Sequence, residues 1–441
     1  MESNAIQGDG AAPVSLEISP RQFAGLCALA FMLLASYHIA LPATTSLFMD
    51  HYTSAMLPQA YLCAAVSAPL LTLLVQRLTR QVPVLRAFVI TAYTSCALLA
   101  FLLALYHLQV PGTAFALFLW RDLYVVLLVE LFWTFANVAF AIRTASKLYG
   151  YFGAAGSFGG IVTSKLVALL APHYGTLGTL TLTLPVLLVV PLGASLLAPK
   201  IAARAPPPPP ATANSGLGLG VLTRSPYLLL MLSTVIIIQG VVTVVDFQFN
   251  AAVESTYAAS GLRTKVLADI HFYIGSGALL VQMITGPVLR LLGVATVWVG
   301  VPMVLAVNIA AFMAAPRFST MALLKLNSKI LDYSIFRSAK EILYIPLSYV
   351  EKTQGKAFID MAAYRMAKGA AALLILALGS KSAVMATSVA NLTLCLIWMA
   401  LSLLLARLYR RATAAAAAGP RPGPISVKID AGEPSKAGSP S

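Results

Sequence analysis

Apolar residues run along this chain in blocks of about twenty, separated by short polar or charged breaks. A helix of that length spans the roughly 30 Å hydrocarbon core of a bilayer. Twelve blocks are predicted to be transmembrane helices: residues 22–45, 55–76, 84–106, 113–140, 148–171, 176–198, 226–248, 269–291, 293–315, 318–348, 357–379 and 382–407. Midway, Lys200 to Gly220 breaks the pattern with a polyproline run followed by small residues, the composition of a semi-rigid, solvated linker. The expected organisation is a tail (1–21), a six-helix bundle (22–198), a Pro-rich linker (199–222), a second six-helix bundle (223–411) and a tail (412–441). The last segment, rich in Ala, Gly, Pro and Ser, has little to bury and is expected to be disordered.

Composition narrows the class. Of 441 residues, 59% are hydrophobic and only 10% charged, and the mean hydropathy of +0.84 excludes a soluble globular domain. Backbone polar groups in lipid must be satisfied within the segment, so long apolar blocks imply an all-α polytopic membrane protein. The first 20 residues lack the basic start and short apolar core of a secretory signal, so the first helix is expected to stay uncleaved.

The net charge of +15 is explained by topology. With a cytoplasmic N-terminus, Arg77, Arg80, Arg86, Arg143, Lys147, Lys200, Arg204, Arg224, Arg290, Lys352, Lys356, Arg407, Arg410 and Arg411 fall inside. Arg263, Lys265, Arg317 and Lys381 fall outside. That asymmetry follows the positive-inside rule and predicts both termini in the cytoplasm, with no nucleic-acid partner needed. In a bacterium this would be the cell (inner) membrane.

Enzyme chemistry finds no foothold. Cys27, Cys63, Cys96 and Cys395 lie in apolar blocks without metal or redox spacing. No catalytic triad, paired-carboxylate site, zinc spacing or phosphate loop is present, so neither catalytic residues, metal nor cofactor is expected. Gly150, Gly153, Gly156 and Gly159 recur every third residue in helix five, a pattern suited to close helix packing. His38 and His271 each stand in apolar context and read as core or hydrogen-bonding residues.

The chemistry concentrates in helix ten, where charges crowd a block that should carry none. A charge at the centre of a membrane helix costs roughly 2.5–3.5 kcal/mol, so it normally faces a bundle interior or a wet cavity. At 100° per residue, Lys325, Lys329, Asp332, Phe336 and Lys340 project within about 80° of one another. This makes a basic stripe with Asp332 as its internal counter-charge, suited to an anionic substrate. Arg337 and Glu341, four apart on another face, are placed to pair. Helix eleven adds Asp360, Tyr364 and Lys368 at four-residue spacing, with Lys356 at its start. Helix seven adds Asp246, and helix four adds Arg121, Asp122 and Glu130. Substrate contact is assigned to Lys325, Lys329, Lys340, Lys356, Lys368 and Tyr364. Gating or ion pairing is assigned to Asp332, Arg337, Glu341, Asp360, Asp246, Glu130, Arg121 and Asp122.

Two resemblances follow from these residues. QRLTRQ, with Arg77 and Arg80 at the end of helix two, and GPVLRLLG, ending helix eight, resemble a worn loop signature of major facilitator superfamily (MFS) transporters, although Gln76 stands where an acid is expected. More specifically, Lys329 and Asp332 followed by YSIFRSAKEILYIPL, then GKAFID (Gly355 to Asp360) and YRMAKG, resemble the ATP/ADP translocase family of nucleotide exchange transporters. FWTFAN (Phe132 to Asn137) and VVDFQFN (Val244 to Asn250) add to the likeness. The resemblance implies an MFS-like 6+6 fold, a bound nucleotide and ATP:ADP or nucleotide antiport by alternating access. The chain departs from the family in helix one, where charges are expected at the positions of Leu41, Thr44 and Thr45. It departs again in helix four, where Arg121 and Asp122 stand in place of a glutamate. These departures point to divergence toward another phosphorylated anion. The alternatives are a proton-coupled MFS-type carrier of an unrelated solute and a non-transporting membrane scaffold or sensor. Expected partners are a nucleotide or other anionic small molecule and the lipid bilayer.

Overall fold

The computed structural model describes residues 19–139, 142–202, 225–347, 351, 356, 359, 364–379 and 384–418. The described residues are helical, with no strand among them. The helices are α1 (Pro20–Tyr52), α2 (Leu57–Gln81), α3 (Val84–His107), α4 (Thr113–Ala139), α5 (Ile142–Thr181), α6 (Thr183–Ala202), α7 (Pro226–Thr256), α8 (Ser260–Leu292), α9 (Val294–Ala314), α10 (Phe318–Leu331), α11 (Arg337–Leu343), α12 (Tyr364–Ala377) and α13 (Val384–Ala418). A π-helical turn, Asp332–Phe336, joins α10 to α11 in one rod, so thirteen helices make twelve crossings. The Pro-rich linker and the C-terminal tail fall almost wholly outside the described residues.

Eight helices are long and apolar enough to cross a membrane by composition alone: α1, α2, α3, α5, α7, α8, α9 and α13. The other crossings are α4, α6, the α10–α11 rod and α12. Among the described residues, α6 and α12 are apolar but short, α10 is 14 residues long, and α4 carries three charges, Arg121, Asp122 and Glu130. Large apolar side chains such as Leu70, Leu73 and Leu74 on α2, and Leu280, Met283 and Ile284 on α8, lie on the outside of the bundle. In water that surface would be a liability, whereas in lipid it is the expected solvent-facing side.

The interior shows why there are two halves. One core joins Leu26, Leu33, Phe88, Leu99, Leu117, Trp120, Leu128 and Leu187, all from α1–α6. Another joins Met231, Val245, Phe249, Trp298, Leu324, Phe336 and Trp398, drawn almost wholly from α7–α13. In the latter, Phe336 stacks on Trp298 at 4.5 Å and meets Trp398 edge-on at 5.9 Å. That wedge lies at the end of the π-helical turn. Smaller clusters, among them Phe48, Tyr61, Phe118, Val244 and Phe247, bridge the halves, and Met49 of α1 reaches into the second core. Each large core thus belongs almost wholly to one half.

The halves meet along α5 against α8 and α2 against α12, with α1 also touching α8. Small residues permit this. A Cβ at Gly261 of α8 would lie 3.0 Å from the Ala171 carbonyl of α5, and one at Gly275 would lie 2.7 Å from Ile161. Within the first half, Gly156, Gly159 and Gly160 seat α5 against α1, whereas Gly150 and Gly153 face open space. Packing therefore explains the C-terminal part of the glycine run and not its start. The long α5 breaks at Gly175, whose φ of 69° is a left-handed conformation that glycine adopts freely. The break separates the fifth and sixth apolar blocks. Helix α8 begins at Ser260, nine residues before the hydropathy block, so Arg263 and Lys265 sit in helix rather than loop.

Candidate functional site

Asp246 of α7 is the centre of the second-half cluster. Its Oδ1 accepts from Lys325 Nζ, and its Oδ2 lies 3.1 Å from Lys329 Nζ. The lysines are one helical turn apart on α10, so a single carboxylate spans both. Aromatic faces complete the cradle: Lys325 sits 5.6 Å from the Phe249 ring and Lys329 5.7 Å from the Tyr333 ring. Opposite charges about 4 Å apart attract by about 4 kcal/mol at an effective dielectric of about 20. Each contact with Asp246 thus offsets the cost of roughly 3 kcal/mol for placing one charge at the middle of a membrane helix. Asp246 carries one negative charge against two lysines, so one positive charge is left uncompensated by it.

A parallel arrangement joins the two halves. Asp122 of α4 accepts from Arg121 Nη2 at 2.7 Å through Oδ1 and from Lys368 Nζ of α12 at 2.7 Å through Oδ2. Arg121 Nη1 also donates to the Leu41 carbonyl at 3.1 Å and to Thr45 Oγ1 at 2.7 Å on α1. Its guanidinium lies 4.2 Å from the centre of the Phe118 ring. Arg121 is 3% exposed, so this geometry is fixed by its surroundings. The positions that lack charge in helix one, Leu41 and Thr45, are therefore the ones Arg121 reaches from helix four.

The two clusters face one interior. Tyr37 of α1 lies within electrostatic reach of Arg121, Asp122, Lys329 and Tyr333. Lys368 sits 4.9 Å from the ring of Tyr61 on α2, whose hydroxyl accepts from Asn250 at 3.4 Å. Asn250 is one turn beyond Asp246 on α7. Tyr37, Tyr61 and Asn250 carry no charge pattern, so sequence reasoning missed them. Asn250 at four-residue spacing from Asp246 was the available signal.

The remaining assigned residues divide clearly. Lys340 is buried, and Asp332 lies within electrostatic reach of Lys329, Arg337 and Lys340. Asp332 is within electrostatic reach of Lys329, but the ion pairs of Lys325 and Lys329 are made with Asp246 of another helix. Glu341 pairs with Lys356 at 2.5 Å rather than with Arg337, which is exposed. Glu130 is exposed on α4, away from Arg121 and Asp122. Tyr364 opens α12, and Asp360 lies outside the described residues.

Where α1 ends and α8 begins, the halves are tied together. Asp50 pairs with Arg263, Ser46 Oγ donates to the Ser260 carbonyl at 2.8 Å, and Thr176 and Thr264 hydroxyls meet at 2.9 Å. Glu254 of α7 also accepts from the Ser54 amide at 2.7 Å. These contacts bind the two halves to each other at this end of the bundle. Nearer the middle, His38 and His271, read from sequence as isolated, face each other across the halves with ring centres 6.1 Å apart. His38 Nδ1 is hydrogen-bonded with Ser164 at 2.8 Å, and His271 Nδ1 donates to the Leu267 carbonyl at 2.7 Å.

Comparison with known proteins follows this geometry. Residues 320–409 match the family model described as TLC ATP/ADP transporter, a span that holds Lys325, Lys329, Lys340 and Lys368. ADP,ATP carrier protein 1 of Chlamydia pneumoniae is 26% identical over 174 residues, covering 35% of this chain and 34% of that protein. Its namesake in Chlamydia muridarum is 27% identical over 220 residues, covering 44% and 42%. The chain thus spans about two fifths of the length of these curated relatives. Among solved structures, a mutant of the nucleoside transporter NupG superposes with a TM-score of 0.65 at 13% identity, covering 89% of this chain and 99% of that one. The POT family transporter PepTSo gives 0.65 at 12% identity, covering 91% and 99%. At such identities these structures establish the fold, a twelve-helix MFS-like bundle, and nothing finer. The sequence comparisons thus show a likeness to the ATP/ADP translocase family, carried by residues 320–409 and by partial alignments with its carriers, and the solved structures add the MFS-like fold alone.

Proposed function

We propose that the protein is a secondary transporter that exchanges nucleotides, or a closely related phosphorylated anion, by alternating access between its halves. The observation that carries this reading is the buried Lys325–Asp246–Lys329 cluster, which leaves a surplus positive charge at the centre of an apolar bundle. Buried cations held by one shared carboxylate are poised to transfer to a more highly charged anion such as a phosphate chain. Lys325 and Lys329 make the phosphate contacts, and Asp246 holds them in the empty state. The likeness to ADP,ATP carriers supports nucleotide as the phosphorylated group. With both termini in the cytoplasm, the tie between Asp50 and Arg263 lies at the outer end of the bundle, where it would oppose entry from outside.

Thermal stability of the detergent-solubilised chain across a panel of ATP, ADP, AMP and nucleosides tests the reading. A ligand that binds only the folded state at about 100 times its Kd stabilises by about 2.7 kcal/mol. Stabilisation should require at least one phosphate and be lost in Lys329→Gln. A flat response across the panel refutes it. One observation favours a second reading, a proton-coupled carrier of another solute: the His38–His271 pair lies across the moving interface. Uptake that follows an imposed pH gradient and ignores internal nucleotide selects that reading.

A further inference from the structure

The cross-half triad joins Lys368, a substrate contact expected from the sequence, to Arg121 and Asp122, which were expected only to gate or pair. We propose that Arg121 and Lys368 form a second anion subsite, one cation from each half, and that Asp122 is its resident occupant, displaced when a phosphoryl group enters. This rests on the reading of a phosphorylated substrate and names where its second anionic group is held.

Three features separate this triad from an ordinary structural pair. Asp122 uses one oxygen for each cation, and those cations come from α4 and α12, which lie in opposite halves. A carboxylate shared in this way marks the place and spacing that an incoming phosphoryl oxygen pair would occupy. Next, Arg121 is held by more than Asp122. Its Nε and Nη2 donate to Asp122 Oδ1, while Nη1 donates to the Leu41 carbonyl and the Thr45 hydroxyl and the guanidinium lies on the Phe118 ring, so three contacts remain when the carboxylate swings away. Lastly, the triad faces the same interior as the Lys325–Asp246–Lys329 cluster, with Tyr61 and Asn250 between them. Each carboxylate balances one of its two cations, so both places carry one surplus positive charge. Two such places suit a ligand with at least two anionic groups over one with a single phosphate.

The geometry also assigns Asp122 a definite role in the cycle. In the empty carrier it neutralises a cation from each half and holds α4 to α12. An anion that takes its place must contact both halves at once, which makes occupancy of the site sensitive to their relative position.

Titration of the full chain in detergent with inorganic pyrophosphate, ADP and AMP tests the proposal. Lys368→Gln should weaken pyrophosphate binding at least tenfold. The charge-balanced double variant Arg121→Gln with Asp122→Asn, which avoids leaving a lone buried charge, should do the same. Asp122→Asn alone should tighten it several-fold by removing the competing carboxylate. Unchanged affinity in both Lys368→Gln and Asp122→Asn, or no pyrophosphate binding by either wild type or Asp122→Asn, overturns the subsite. Failure of the nucleotide reading looks different: ADP would then bind no better than pyrophosphate while the dependence on Lys368 and Asp122 held.

Discussion

Replacing Asp246 with asparagine keeps the side-chain volume and removes the charge that Lys325 and Lys329 share. The structure sets the scale. The side chains of Lys325 and Lys329 are 6% and 14% exposed, and that of Asp246 is 28% exposed. Breaking a buried pair by removing one partner costs about 3–5 kcal/mol. The partial exposure of Asp246 places this case near the lower end, at about 3 kcal/mol. Two ammonium groups one turn apart then also repel, by about 3 kcal/mol at about 6 Å and a dielectric of about 20, unless one gives up its proton. At about 2.1 cal/mol/K of unfolding entropy per residue, a chain of 441 residues shifts by about 1 °C per kcal/mol. Asp246→Asn should therefore lower the melting temperature of the empty carrier by about 3 °C. Lys325→Gln added to Asp246→Asn should recover at least half of that loss, because it removes the stranded charge. Tryptophan fluorescence in detergent provides the readout, with Trp298 and Trp398 in the second-half core. A fall below 2 °C for Asp246→Asn refutes the reasoning. So does a double variant whose loss equals the sum of the two single losses, since coupled charges cannot behave additively.

Other expectations follow from contacts of different kinds. Gly160→Val should cost about 1–3 kcal/mol, because its Cβ would lie 2.7 Å from His38 Nε2. Gly153→Ala, facing open space, should instead stabilise by up to about 1 kcal/mol through helix propensity, and paired melting curves check both signs. Glu341→Gln should shift stability by less than about 1 kcal/mol, since its partner Lys356 and Glu341 itself are 34% and 48% exposed. Arg263→Ala should open the tied end of the bundle, so that a cysteine placed at Ser260 reacts several-fold faster with an impermeant maleimide. An unchanged labelling rate would show that the tie to Asp50 does not control access.

The crossings were legible because hydropathy reports directly on the bilayer, and the blocks in the sequence map onto α1–α13 with modest shifts at their ends. The shift at α8 has a physical cause. Its first turns carry Arg263, Lys265 and Asp269, polar residues that a hydropathy window rejects but that find partners in Asp50 and Lys165. Lys325 and Lys329 stood out as charges where none belonged. Asp246 also read as an ion-pairing residue, but its partners did not, because helical spacing offers Asp332 in the same rod while the fold brings Asp246 to both lysines, 79 positions from Lys325. A π-helical turn leaves no reliable trace in sequence, yet one extra residue there re-aims everything after it. The His38–His271 contact and the reach of Arg121 to Thr45 were hidden for the same reason, since each joins helices whose neighbourhood only the packed halves define.

The claim that this chain exchanges phosphorylated anions through a basic centre is tested most directly by counter-exchange in proteoliposomes. Labelled ADP should enter vesicles preloaded with unlabelled ADP at least tenfold faster than empty vesicles. Entry should fall to background in the Lys325→Gln and Lys329→Gln double variant while the purified variant remains monodisperse. Equal uptake into loaded and empty vesicles, or full exchange by the double variant, would contradict the account.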